Sequence, residues 1–129
     1  MSRSLDDLSP LIRGKVDEFL SACKAAGVDI LVTCTKRTMD EQSALYAKGR
    51  TCQGAIVTNC DGITRRSNHQ IKLDGFGHAV DCCFLVNGAA SWDDGLPWRL
   101  YGEAGKALDL KWGGDWTGSL VDRPHLELP

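Results

Sequence analysis

The chain contains three histidines, His69, His78 and His125, and two of them, His69 and His125, stand in polar surroundings with carboxylates close by in sequence. A catalytic zinc site takes three protein ligands from His, Asp or Glu and leaves a fourth position for water. His69, Asp81 and His125 meet that rule. Asp81 lies in the β-prone run 78–86, where a period of two puts it on one face with Ala79, Cys83 and Leu85, the face expected to look into the core. A carboxylate so placed must be paired, protonated or metal-bound, and the residues alone leave all three open. The step from His69 to Asp81 matches no short zinc motif. His78 shares parity with Val80 and Cys82, so it points away from Asp81 and reads as structural, or as support behind the ligands.

These residues need elements to carry them. Ser9 followed by Pro10 predicts a helix start, with the serine hydroxyl as cap and proline at the first helical position. Leu11, Ile12, Val16, Phe19, Leu20 and Cys23 then recur at helical spacing, and Gly27 closes the helix. Asp29 to Thr35 predicts a buried strand. Thr38 and Glu41 stand at capping-box spacing at the head of a second helix that ends at Gly49, which sets Arg37 at a strand-to-helix junction. From Arg50 to Phe76 no period is sustained, and a loop of that length in a compact chain points to function. A helix over Pro97 to Leu108, a glycine turn at Gly113 and Gly114, and a last strand near His125 to Leu128 complete an α+β reading. Trp92, Trp98, Trp112 and Trp116 are expected to be packing anchors outside the site.

At 129 residues the chain fits one domain spanning 1–129. Hydrophobic residues at 43% and charged residues at 25% give the balance of a packed globular protein. A net charge of −2 without a basic run offers nucleic acid no footprint. No apolar stretch approaches the length needed for stable membrane insertion, and Asp6 and Asp7 fall where a signal peptide would be apolar, so synthesis in the cytosol without a signal peptide is expected. A reducing cytosol argues against a disulfide set among the six cysteines, most of which are expected to be small buried hydrophobes. Cys82 and Cys83 are adjacent and poor partners for each other. Cys52 and Cys60 are expected to be reduced there and able to pair after release into an oxidising periplasm.

Three segments resemble the M15 family of zinc peptidases, particularly its phage and bacillus L-alanyl-D-glutamate endopeptidase branch. KRTMDEQSALYAKGRT, residues 36 to 51, is similar to the arginine-plus-helix segment before the family's site. SNHQIKLDGFGHAVD, Ser67 to Asp81, resembles the pattern of serine, one residue, histidine, then glycine, one residue, alanine, one residue, aspartate. WGGDWTGSLVDRPHLEL, Trp112 to Leu128, is similar to the closing signature. The order is the family's own.

The resemblance implies a single small domain with an antiparallel sheet and flanking helices, a hedgehog/DD-peptidase-like zinc peptidase fold. It implies Zn²⁺ held by His69, Asp81 and His125, Asp122 as catalytic acid/base, Arg37 on the substrate, and Ser67 and Glu127 in support. The segment Gln70 to Phe76 lengthens the connection from histidine to aspartate, and Asp74 with Gly75 forms a turn pair that lets both ends stay in place. The implied activity is cleavage of peptidoglycan stem peptides by a monomeric endolysin, made in the host cytoplasm and acting on the periplasmic wall after release by a holin-type export partner. The alternatives are a D-alanyl-D-alanine carboxypeptidase or dipeptidase on the same site, and a non-catalytic zinc-stabilised wall-binding module.

Overall fold

The computed structural model describes residues 1–58, 60–63, 66–70, 72, 74–118 and 121–129. Helix α1 (Pro10–Ala25) has proline at its first position and buries Ile12, Val16, Phe19 and Cys23 along one stripe. Its end is a Schellman cap, in which Gly27 takes a φ of 85° and the Gly27 and Val28 amides donate to the Lys24 and Cys23 carbonyls. Two expectations for α1 are corrected. Leu11 is 65% exposed, because it lies one position off the buried stripe. The Ser9 hydroxyl makes no capping bond. Its backbone N–H is committed to the Gly77 carbonyl beside the Leu8–Gly77 bridge, and its side chain is buried there.

Strand β1 (Ile30–Cys34) pairs antiparallel with β2 (Ala79–Val86). The sheet runs β1, β2, β5 (His125–Glu127), β4 (Lys111–Trp112), and β3 (Ala89–Ser91) pairs with β2, with every pairing antiparallel. At the sheet edge, β1 is half-buried except for Cys34, which corrects the expectation of a fully buried strand. Helix α2 (Met39–Ala47) carries both bonds of the Thr38–Glu41 capping box, and α3 (Trp98–Lys106) starts just after Pro97. This is the α+β architecture of an antiparallel sheet with flanking helices that the sequence implies.

The core lies between α1, α3 and one sheet face. Val80, Cys82, Phe84 and Leu126 meet Ile12, Val16 and Phe19 from α1 and Trp98 and Tyr101 from α3. Asp81 therefore does not face the main core. The period of two sends its neighbours Val80 and Cys82 under the helices and leaves Asp81 on the opposite face. Cys23, Cys34, Cys82 and Cys83 are buried, Cys52 and Cys60 are not, and all six are free thiols.

Trp112 lies between two glycines. A Cβ on Gly102 would come within 2.2 Å of the indole, and one on Gly114 would do the same. Gly14 on α1 has open space around its missing Cβ. Two substitutions of one kind should therefore move stability in opposite directions. Gly102→Ala is expected to cost about 1–3 kcal/mol through overpacking. Gly14→Ala is expected to stabilise by about 0.5–1 kcal/mol through helix propensity. Urea denaturation midpoints measure both.

Candidate active site

Asp81 and His125 are direct partners across the β2–β5 ladder, so their side chains rise from the same face of the sheet. His69 comes from the long loop, where a compact turn presents it. Its backbone N–H donates to the Ser67 hydroxyl at 3.2 Å, and its carbonyl accepts from the Arg37 amide at 2.8 Å. Gln70 is buried. It accepts from the Ser67 amide at 2.9 Å and donates to the Gly62 carbonyl at 3.1 Å, which laces the turn to the rest of the loop. The lengthened segment folds back on itself, with the Lys72 amide donating to the Phe76 carbonyl and the Phe76 amide to Asp74. Ile71 and Leu73 of that segment lie outside the described residues.

Core side chains hold the approach to His125. The Tyr101 hydroxyl donates to the Pro124 carbonyl at 2.5 Å, and the Trp112 indole N–H donates to the Arg123 carbonyl at 2.7 Å. Gly113 lets the chain pass so close that a Cβ there would meet the Asp122 carbonyl at 2.2 Å, and the Asp122 amide donates to the Gly113 carbonyl at 2.9 Å.

Three atoms converge on these supports. His69 Nε2, Asp81 Oδ1 and His125 Nδ1 form a triangle with every side 3.2 Å. His69 is 1% exposed and His125 6%, so both rings are interior groups despite the polar sequence around them. The second Asp81 oxygen accepts from Arg37 Nη2 at 3.3 Å, while Arg37 Nη1 donates to buried Gln42 at 3.0 Å. The outer nitrogen of His125 lies 2.7 Å from Glu127. Asp122 lies close enough to group with Asp81 and His125 as oxygen and nitrogen donors within 4.8 Å of one another. His78 is elsewhere, bonded to Asp74 at 2.7 Å on the surface.

Charge follows this packing. Burial pushes the Asp81 carboxyl up, but the imidazoles of His69 and His125 outweigh it and hold the group well below the usual carboxylate range. Burial opposes the charge on His125, yet hydrogen bonds to Asp81 and Glu127 prevail and raise its pKa to about 10. Burial also works against the Glu127 charge, and the bond to His125 brings its pKa down all the same. Asp122 goes the other way, raised first by burial and then by the Asp81 charge.

The donor set suits a divalent cation. Two imidazole nitrogens and a carboxylate oxygen are usual zinc ligands, and the edge of a tetrahedron with ordinary zinc bonds is about 3.3 Å. The observed sides are 3.2 Å. The triangle lines a cleft of about 290 Å³ whose walls include Arg37, Val57, Asn68, Trp116 and Asp122.

A family model described as D-alanyl-D-alanine carboxypeptidase, from the M15 peptidases, matches residues 61–128. Over 130 residues the chain is 33% identical to the peptidoglycan L-alanyl-D-glutamate endopeptidase CwlK of Bacillus subtilis, covering 95% of this chain and 74% of that protein. The chain belongs to the M15 peptidase family. It is also 28% identical to the L-alanyl-D-glutamate peptidase of Listeria phage A118, over 98% of this chain but only 41% of the phage protein. The crystal structure of the Serratia marcescens L-Ala D-Glu endopeptidase ChiX superposes with a TM-score of 0.62 at 26% identity, covering 99% of this chain and 87% of that one.

The fold of this M15 peptidase brings together His69, Asp81, His125, Arg37, Asp122, Ser67 and Glu127. It adds residues that the sequence reading left out. Trp116 lines the cleft with its ring 5.1 Å from that of His125, which corrects its assignment as a packing anchor outside the site. Cys34 lies 3.8 Å from His69 Nδ1, and Gln42 and Gln70 are buried polar groups with no periodic signal to reveal them.

The charge on His125 gives a pH test on metal-free protein. A histidine whose pKa rises from 6.5 unfolded to about 10 folded contributes stability that is complete below pH 6.5 and is lost as the pH climbs towards about 10. In chelator-treated protein the ring nitrogens of His125, followed by nitrogen-15 NMR, should keep the imidazolium shifts through pH 8. A midpoint near 6.5 would contradict the pairing with Asp81 and Glu127.

Proposed function

We propose that this M15 peptidase is a zinc enzyme that hydrolyses peptidoglycan stem peptides at the bond between L-alanine and D-glutamate, as a phage endolysin does. The observation that carries the zinc reading is the 3.2 Å triangle of His69, Asp81 and His125. Support for the bond cleaved comes from the Bacillus, Listeria phage and Serratia proteins, whose names carry that activity and which align with 95%, 98% and 99% of the chain.

In this reading His69, Asp81 and His125 hold the ion. Zinc, when bound, supplies a Lewis acid for the scissile carbonyl and lowers the pKa of water to about 7. Asp122 takes the proton of the attacking water and returns it to the leaving amine, and its raised pKa brings it nearer the working pH. Arg37, held by Gln42, Asp81 and the Met1 sulfur, supplies guanidinium donors for a substrate carboxylate or the developing oxyanion. Ser67 fixes the His69 backbone, and Glu127 receives the outer N–H of His125. The phage relative supports a lytic role, in which the protein reaches the wall through a holin-type lesion.

A second reading, removal of terminal D-alanine, is favoured by the description of the matching family model. It uses the same ligands and the same base and differs only in which end of the peptide the cleft holds. Product masses from purified muropeptides separate the two. Free L-alanine-linked glycan and released D-glutamate-headed peptides are expected, whereas terminal D-alanine as the product would replace the first reading with the second.

Metal analysis should return one zinc per chain. His69→Ala is expected to lose it, and His78→Ala to keep it. Asp122→Asn should retain zinc and fold while losing about 10²- to 10⁴-fold in the rate of cleavage, the usual worth of a positioned acid/base group. Loss of zinc in Asp122→Asn would make that residue a ligand, and full activity would move the base elsewhere.

A further inference from the structure

The motif residue between Ser67 and His69 has no role in the scheme above. The Asn68 side chain crosses from the His69 turn to β5, where its Nδ2 donates to Glu127 Oε2 at 2.5 Å. The direction of that bond is fixed by chemistry, because an ionised carboxylate only accepts. The other oxygen of the same carboxylate is 2.7 Å from His125 Nε2. Glu127 thus has one oxygen on the outer nitrogen of His125 and the other on Asn68.

The backbone of Asn68 acts on the same elements. Its carbonyl accepts from the His78 amide at 2.8 Å, immediately before β2, and the next residue on β2, Ala79, is the ladder partner of Glu127. One residue therefore links the turn that presents His69 to the strands that present Asp81 and His125. Its neighbour in the chain is one member of the donor triangle, and its side-chain partner steadies another. Glu127 also lines the cleft, which already holds the carboxylates of Asp81 and Asp122. A Glu127 released from Asn68 would be free to turn towards that space.

We propose that Asn68 is a positioning residue that clamps Glu127 on the outer nitrogen of His125, and so fixes the spacing between the His69 turn and the His125 strand. The inference rests on the metal reading given under Proposed function. Groups that orient a liganding histidine are commonly worth about 10- to 100-fold in metal affinity.

The test is zinc affinity by chelator competition, on full-length protein, with the substitutions Asn68→Ala, Asn68→Asp, Glu127→Gln and the double change Asn68→Asp with Glu127→Gln. Asn68→Ala should weaken zinc about tenfold. Asn68→Asp should weaken it further, since two carboxylates would then face each other at hydrogen-bond distance. The double change reverses donor and acceptor, because a glutamine at 127 can donate to the new aspartate and still accept from His125. It should recover most of the affinity lost in Asn68→Asp, a coupling that a residue acting only through general stability would not produce. Cobalt-substituted protein gives a second readout, since the visible bands of Asn68→Ala should shift and those of the double variant should return towards wild type. Single changes that leave zinc affinity within twofold of wild type, or a double change whose loss is the sum of its parts, would overturn the clamp and leave the metal site standing. Failure of the wild-type protein to bind zinc through His69 would overturn the metal reading and the clamp with it.

Discussion

The carboxylate of Asp81 is the constraint around which the site is arranged. Taking an ionised carboxyl out of water is costly unless other charges and donors replace the solvent. Here two imidazoles and a guanidinium do so from three different parts of the chain, each within 3.3 Å. Because β2 and β5 are in register at this point, the partner on β5 is fixed by the sheet itself. The other two, His69 and Arg37, arrive from loops and must be held by backbone bonds, and the Arg37 amide supplies one directly to the His69 carbonyl.

The hydrophobic core reaches this site through a few polar atoms. Tyr101 is fully buried among Phe19, Phe84 and Trp98, yet its hydroxyl holds the Pro124 carbonyl next to His125. Trp112 does the same at Arg123 while filling the space left by Gly102 and Gly114. Packing of the core and placement of the His125 backbone are thus linked, since the two residues before it are held by donors from a buried tyrosine and a partly buried tryptophan. The absence of a Cβ on Gly113 completes the arrangement by letting the Asp122 segment lie against the 3-10 turn Gly113–Asp115.

Three carboxylates line one small cleft, and their surroundings separate them. Asp81 and Glu127 are held ionised by the histidines they touch, whereas Asp122 is partly desolvated beside the Asp81 charge and is pushed towards the neutral form. Environments that drive like groups apart in pKa let neighbouring carboxylates differ in how readily each holds a proton.

The sequence by itself determined the three α-helices, strands β1, β2 and β5, and the family, whereas the short strands β3 and β4 carried no local signal. Local chemistry sufficed there: proline at the start of α1, the Thr38–Glu41 box of α2 and the glycine stop at Gly27 act within a few residues of one another. Alternation along β2 was also legible, but not which face met the helices. Both faces carry buried apolar residues, Ala79 and Cys83 on one and Val80, Cys82 and Phe84 on the other, so only packing of α1 and α3 decided that Asp81 looks into the cleft. Leu11 shows the same limit, since an apolar residue at the margin of a helix stripe is buried or exposed according to what lies across from it. Tertiary structure alone brought Trp116, Cys34 and the Asn68–Glu127 bond to the histidines. Those contacts join residues far apart in the chain, and no local period or cap records them, because the partner that gives each its meaning is supplied only when the loop folds back over the sheet.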